Sequence, residues 1–222
     1  MFDIDGTLTQ TYDADTQCFI RALTDVFGFA DVDPDWSTYP HSSDSGVLEV
    51  LFQARRGRSP NPEEIAEMQR HFVALLAASA DAEPFTPVPG ARDLLCHLLG
   101  EPGFAVSMAS GAWECSGRFK LAAAGLAFPQ IPAAFSDAAH ARENIMQISL
   151  ERVARTCVGG SFESTTYIGD GVWDARAARN LGFRFIGRAN EAAGIGRLHA
   201  EGAGHVFADY LDRDAFMAAL LA

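Results

Sequence analysis

The sequence predicts an α/β fold, a doubly wound parallel sheet with a helical segment inserted near its start, and three observations carry that prediction. From about residue 89 onward, short β-rich runs alternate with helical patterns, the order that a parallel sheet covered on both faces requires. Residues 13–85 lack the alternation and show helical spacing only. The 222 residues, 48% of them hydrophobic, suffice for one sizeable core plus a small satellite.

Taken in order, the elements start with a very short strand. Only Met1 and Phe2 precede Asp3, whereas a central strand usually needs about five residues. The reading therefore expects a native start upstream of Met1 and a shortened first strand. Asp15–Phe27, Ser45–Ala54 and Pro62–Ala80 follow as helices, with Asn61 and Pro62 placed as N-cap and first helical residue. Arg55, Arg56 and Arg58 read as a solvated helix end, and His41 as a surface histidine. Thr9–Asp13 leads out to this helical block, and Glu83–Gly90, with Pro84, Pro87 and Pro89, forms a stiff return. Residues 1–12 and 86–222 are thus expected to form one unit, and 13–85 another. Strands are expected at Phe104–Met108, Ala133–Phe135, Thr165–Ile168, Phe183–Ile186 and, weakly, His205–Phe207. Helices are expected near 90–100, 114–124, 141–157, 173–181, 191–200 and 211–221.

Charge narrows the partners. Asp and Glu number 29 against 17 Lys and Arg, a net charge of −12 that repels nucleic-acid backbones and anionic membranes. Residues 1–10 carry Asp3 and Asp5 where an export signal would be basic, and no apolar stretch reaches the ~18 residues of a membrane span. Cys18, Cys96, Cys115 and Cys157 form no CxxC pair and read as reduced thiols. From these features a cytoplasmic protein is expected, with no nucleic-acid or membrane partner. Lys120 is the one lysine of the chain; on the helix after Ser110 it reads as a solvated side chain.

The chemistry concentrates in two acidic turns. Asp3-Ile4-Asp5-Gly6-Thr7-Leu8-Thr9 follows the first strand, and Gly169-Asp170-Gly171-Val172-Trp173-Asp174 follows the strand at 165–168. Glycine lets each chain turn at the C-terminal edge of the sheet, where open α/β folds bind ligands. Like charges ~4 Å apart repel by about 4 kcal/mol at an effective dielectric of ~20, so such acids need a cation, a shared proton or solvent between them. Four acids at one sheet edge make an oxygen-rich site suited to Mg²⁺.

These two stretches, together with Ser110-Gly111 at the end of another strand, resemble three of the four motifs of the haloacid dehalogenase-like hydrolases, in order. The resemblance covers essentially the whole chain and includes a helical cap inserted after the first strand, as in phosphoglycolate-phosphatase-like members. It implies a Rossmann-like core with an inserted α-helical cap domain. It further implies that Asp3 is a nucleophile that becomes an aspartyl-phosphate, and that Asp5 acts first as general acid and then as base. Mg²⁺ would sit among the Asp3 side chain, the Asp5 main-chain carbonyl and Asp170, with Asp174 holding a metal-bound water or a neighbour. Ser110 and the Gly111 N–H would bind phosphoryl oxygens. The family's remaining motif is a lysine; Arg142 occupies the matching place and keeps the charge with a different donor geometry, and Lys120, ten residues after Ser110, is the other candidate, its favoured reading being a solvated side chain. In the helical block, Ser43 and Asp44 open a helix that could cover the site, as N-cap residues, substrate contacts or both.

The function expected from this resemblance is Mg²⁺-dependent hydrolysis of a small phosphorylated metabolite by a monomer or homodimer. A dehalogenase is disfavoured by Asp5, and a Schiff-base phosphonatase by a helical block without lysine. A phosphomutase on the same scaffold and a phosphate-binding or phosphoacceptor protein with weak hydrolysis are the alternatives.

Overall fold

The computed structural model describes residues 1–157 and 159–222. Its strands are β1 (Met108–Ala109), β2 (Ala133–Ala134), β3 (Thr166–Gly169), β4 (Arg184–Arg188) and β5 (His205–Phe207). All ladders are parallel: β1 pairs with β2, β3 with β4, and β4 with β5. The two groups are joined by a single residue, Phe2, which bridges Met108 on one side and Ile168 on the other. Phe2 N–H donates to the Ser107 carbonyl at 2.9 Å, and Asp3 N–H to the Ile168 carbonyl at 2.9 Å. With Phe2 as the first strand in chain order, the sheet runs 3-2-1-4-5-6, so the chain reverses its winding between Phe2 and β3. Open α/β sheets place ligands at this reversal, and Asp3 and Asp170 leave the sheet on its two sides.

Side-chain alternation makes both faces apolar, as a sheet covered on both sides needs. Phe2, Met108, Ala133 and Ile168 face the cluster that contains α4 (Ala91–Gly100), α5 (Glu114–Ala123) and α9 (Arg213–Leu221). Their neighbours Met1, Ala109, Ala134 and Tyr167 face α6 (Arg142–Ala154) and α7 (Val172–Asn180). Helix α8 (Ala192–Ala200) packs through Leu198 near β4 and β5. The strand expected at Phe104–Met108 shrinks to Met108–Ala109 because the first strand offers it one partner residue. The helix expected to reach residue 157 ends at Ala154, where Cys157 N–H turns back to the Ala154 carbonyl.

The inserted block holds α1 (Tyr12–Phe27), α2 (Asp44–Arg56) and α3 (Pro62–Ala82), with a short 3₁₀ turn at Trp36–Thr38. Asn61 closes a capping box with Glu64, and Ser43 caps α2 through Gly46 N–H, each cap contributing about 1 kcal/mol. The block has its own aromatic centre. Phe19 meets Phe72 and Trp36 edge-on, and Trp113, reaching up from the start of α5, packs on Phe19 and Phe72. A buried aromatic of this kind contributes roughly 2–3 kcal/mol, so Trp113 ties the insertion to the sheet. Arg56 and Arg58 pair with Glu64 and lie over Phe52, the ordinary fate of a basic helix end.

Candidate active site

The Asp3–Thr9 loop is folded around one carbonyl. Ile4 O accepts from the N–H groups of Thr7, Leu8 and Thr9 and from Thr9 Oγ1. The turn passes through Gly6 at φ +70°, and a Cβ there would lie 2.0 Å from Asp170 Oδ2. Glycine at this position therefore serves both the left-handed backbone and the approach of Asp170. Thr7 Oγ1 donates to Asp170 Oδ1 at 3.5 Å, a weak contact.

Asp3, Asp170 and Asp174 each bring a carboxylate oxygen into a group no more than 4.8 Å across. Burial raises the Asp3 carboxyl, with Arg142 opposing, and burial with the charge of Asp3 raises Asp170 well above the usual range. Asp174 is pushed up to about 7, mainly by burial, with Arg142 again opposing. Arg142 lies against two of the three: Nη1 is 3.3 Å from Asp3 Oδ1, and Nε is 3.3 Å from Asp174 Oδ1. Although burial works against its charge, Asp174 and Asp3 outweigh it and hold the guanidinium charged. Arg142 Nε and Asp174 Oδ1 face each other without hydrogen-bond geometry. Asp174 also accepts Gly171 N–H at 3.1 Å, so it caps α7 and faces the cluster at once.

The side chain of Asp5 stands outside this group. Its Oδ1 accepts from Thr11 Oγ1 at 2.6 Å and its Oδ2 from Lys120 Nζ at 2.6 Å. Lys120 Nζ also pairs with Asp15 on α1. This corrects the expectation of a solvated lysine: the Lys120 side chain is 0% exposed. Burial disfavours its charge, but Asp15, Asp5 and Asp44 together hold it above the ordinary lysine value. The signal for this was present in α5, where Trp113, Ser116, Gly117, Lys120, Leu121 and Ala124 form one buried stripe at helical spacing. Nothing local in the sequence marks Asp15 or Thr11 for these contacts.

The opening of α2 closes over the cluster from above. Ser43 Oγ donates to the His140 carbonyl at 2.7 Å, Asp44 Oδ2 accepts Trp113 N–H at 2.8 Å, and Asp44 N–H donates to Gly111 O at 2.8 Å. Arg142 Nη2 donates to the Ser42 carbonyl at 3.3 Å. A Cβ on Gly111 would lie 2.7 Å from that same carbonyl, so Gly111 lets the loop descend. Ser110 sits beneath with Oγ accepting Ala112 N–H at 3.3 Å. Asp3, Asp5, Ser43, Asp44, Ser110, Gly111, Arg142 and Asp170 all line one cavity of about 60 Å³, room for roughly four waters. Asp174 lies behind its wall.

The cluster sets three carboxyl groups against one guanidinium, and its ligand atoms are all oxygens. The Gly6 cradle keeps Asp170 turned toward Asp3. That donor set fits a hard divalent cation such as Mg²⁺ better than zinc, which favours nitrogen and sulfur. Among the described residues, no helix is long and apolar enough to cross a membrane.

Comparison with known proteins agrees with this geometry. Residues 1–182 match the family model for haloacid dehalogenase-like hydrolases. No curated protein matches the sequence. Among solved structures, a hydrolase from Pseudomonas syringae superposes with TM-score 0.75 at 21% identity, covering 99% of this chain and 97% of that one. The Rhodobacter sphaeroides CbbY protein in complex with phosphate gives TM-score 0.63 at 19% identity, covering 94% and 92%. A candidate phosphoglycolate phosphatase from Lactobacillus plantarum gives 0.59 at 19%, covering 96% and 95%. At these identities the likeness is one of fold.

Proposed function

Because the chain belongs to the haloacid dehalogenase-like hydrolase family, we propose that it is a Mg²⁺-dependent phosphatase acting on a small phosphorylated metabolite through an aspartyl-phosphate on Asp3. The observation that carries this reading is the convergence of Asp3, Asp170 and Asp174 within 4.8 Å beneath a closed polar loop. Residues 13–85 serve as the cap and the remainder as the catalytic core. Held by Asp3, Asp170, the Asp5 main-chain carbonyl and, through water, Asp174, the cation would screen the attack of one anion on another.

Asp3 attacks phosphorus, the bond to the leaving oxygen breaks, and that oxygen takes a proton from Asp5. Asp5 then accepts a proton from the water that attacks the phosphoenzyme. The second role fits the geometry directly, since both Asp5 oxygens accept hydrogen bonds, from Thr11 and Lys120. For the first role Asp5 must be released from one of these contacts and take up a proton from solvent, which it then gives to the leaving oxygen. Arg142 and Ser110 hold the phosphoryl oxygens beside Asp3, and the loop at Ser43–Asp44 keeps bulk water out.

The test is phosphate release from a panel of sugar, glycolate, nucleotide and aryl monophosphates, with Mg²⁺ and with chelator. Mg²⁺-dependent release lost in Asp3→Asn supports the reading; release unchanged by that substitution overturns it.

A further inference from the structure

Beside the acid-cluster cavity, and sharing Tyr12, Asp170 and Trp173 with it, lies a cleft of about 800 Å³ between the Pro34–Ser37 segment and the start of α8. Its inner wall carries Arg188, at the end of β4, beside the strand end that carries Asp170. Arg188 is 9% exposed, and among the described residues its side chain forms neither an ion pair nor a hydrogen bond. Its Nε is buried without an acceptor, and a buried donor left unpaired is costly. Trp173, whose Nε1 is a second buried donor without an acceptor, also lines this cleft. The N-terminus of α8 opens onto it at Gly194 without a side-chain cap, and Arg197 stands at the exposed side. Asp13, Asp35 and Glu191, all exposed, also reach this cleft, as does Asp170, which lies near enough to feel the Arg188 charge; none of the four forms an ion pair or hydrogen bond with Arg188.

We propose that Arg188, Trp173 Nε1 and the N-terminus of α8 form a second anion site that takes a phosphate or carboxylate group. The donors are of the right kind: a planar guanidinium fork, an indole N–H and free main-chain N–H groups at the positive end of a helix. An anion here satisfies two buried donors that the protein leaves unpaired. Under the phosphatase reading, which this step needs only to name the source of the anion, the group is the far end of a substrate with two anionic ends. The cavity over Asp3 holds little beyond a phosphoryl group, and the adjoining cleft offers the space for the rest. Free inorganic phosphate is the other source of the same chemistry.

The first measurement uses inorganic phosphate with the metal chelated, so that no turnover is involved, and reads the Arg188-dependent part of the binding. Calorimetry should show one phosphate site on the wild type, weakened at least about tenfold in Arg188→Met, the worth of lost charge-assisted hydrogen bonds. Without phosphate, Arg188→Met should melt at or above the wild-type temperature, since it removes an unpaired buried charge; phosphate should raise the wild-type melting temperature and leave the variant unmoved. Arg188→Lys and Trp173→Phe, each expected to weaken phosphate at least threefold, keep the test open if the methionine variant does not fold. Phosphate affinity unchanged across these variants overturns the proposal, whatever the enzyme hydrolyses. Two kinetic arms separate the sources. A KM raised in Arg188→Met for substrates with a second anionic group, and unchanged for aryl phosphate, assigns the site to substrate; unchanged KM values with inhibition by phosphate relieved assign it to free phosphate.

Discussion

Replacing Lys120 by methionine removes the one cation that holds three carboxylates together. The side chain is wholly buried, lies 2.6 Å from Asp5 and pairs with Asp15, and Asp44 acts on it through space. Methionine nearly fills the volume, so the packing loss is small, and the cost is that of stranding buried acids. Removing one partner of a buried ion pair costs about 3–5 kcal/mol, which for a chain of this size lowers the melting temperature by roughly 6–20 °C. The sign of the pH dependence follows. Without the ammonium, the carboxyls bind protons at higher pH, so the deficit against wild type should be largest near pH 8 and narrow toward pH 5. Urea unfolding of wild type, Lys120→Met and Lys120→Met/Asp15→Asn at both pH values reads all of this; the double variant should recover part of the loss. A deficit below about 1 kcal/mol at pH 8, within the range of an ordinary surface change, would refute the account of Lys120 as the neutralising centre.

Further outcomes follow from the same geometry. Gly6→Ala places a Cβ 2.0 Å from Asp170 Oδ2 in a left-handed turn; displacing that carboxylate should cut kcat/KM by about a hundredfold or more and weaken Mg²⁺ in a metal titration. Burial pushes Asp15 up to about 7 from 3.8, so between those values the folded state holds a proton that the unfolded state has released. Its contribution to stability is full below about pH 4 and falls as pH rises through 7, by up to about 4 kcal/mol; unfolding across that range should flatten in Asp15→Asn. Arg142→Lys keeps the charge but not the fork that meets Asp3, Asp174 and the Ser42 carbonyl, and should lower kcat/KM by about tenfold or more with Mg²⁺ affinity retained. Saturating Mg²⁺ at ~100 times its Kd should stabilise the protein by about 2.7 kcal/mol, read as a thermal shift that Asp170→Asn abolishes.

Much of this arrangement is legible along the chain because it is local. The turns after Phe2 and β3 carry their acids within a few residues of the glycines that shape them, and alternation in Met108–Ala109 and Tyr167–Ile168 assigns the two faces of the sheet. Asn61 and Pro62 mark the start of α3 by the chemistry of a single turn. What escapes is long-range. Asp5 and Lys120 are 115 residues apart and Lys120 and Asp15 are 105 apart, and the buried lysine shows only as a polar member of an apolar stripe on α5. Arg188 lies two residues beyond the strand expected at Phe183–Ile186, and nothing local marks it for burial. It shares a cleft with Trp173 and the start of α8, which come from elsewhere in the chain. Strand length escapes for another reason, since ladder extent depends on the neighbour: β1 is cut to two residues by the single rung at Phe2.

The central claim is that Asp3 carries the phosphoryl group during turnover. Wild-type protein turning over an aryl phosphate with Mg²⁺ should be quenched in acid, digested and analysed by mass spectrometry, alongside Asp3→Asn and Asp5→Asn. The account predicts a phosphoryl group on the peptide containing Asp3, more of it in Asp5→Asn if the first step survives, and none in Asp3→Asn. Sustained phosphate release with that peptide unmodified, at a rate that Asp3→Asn does not change, would contradict it.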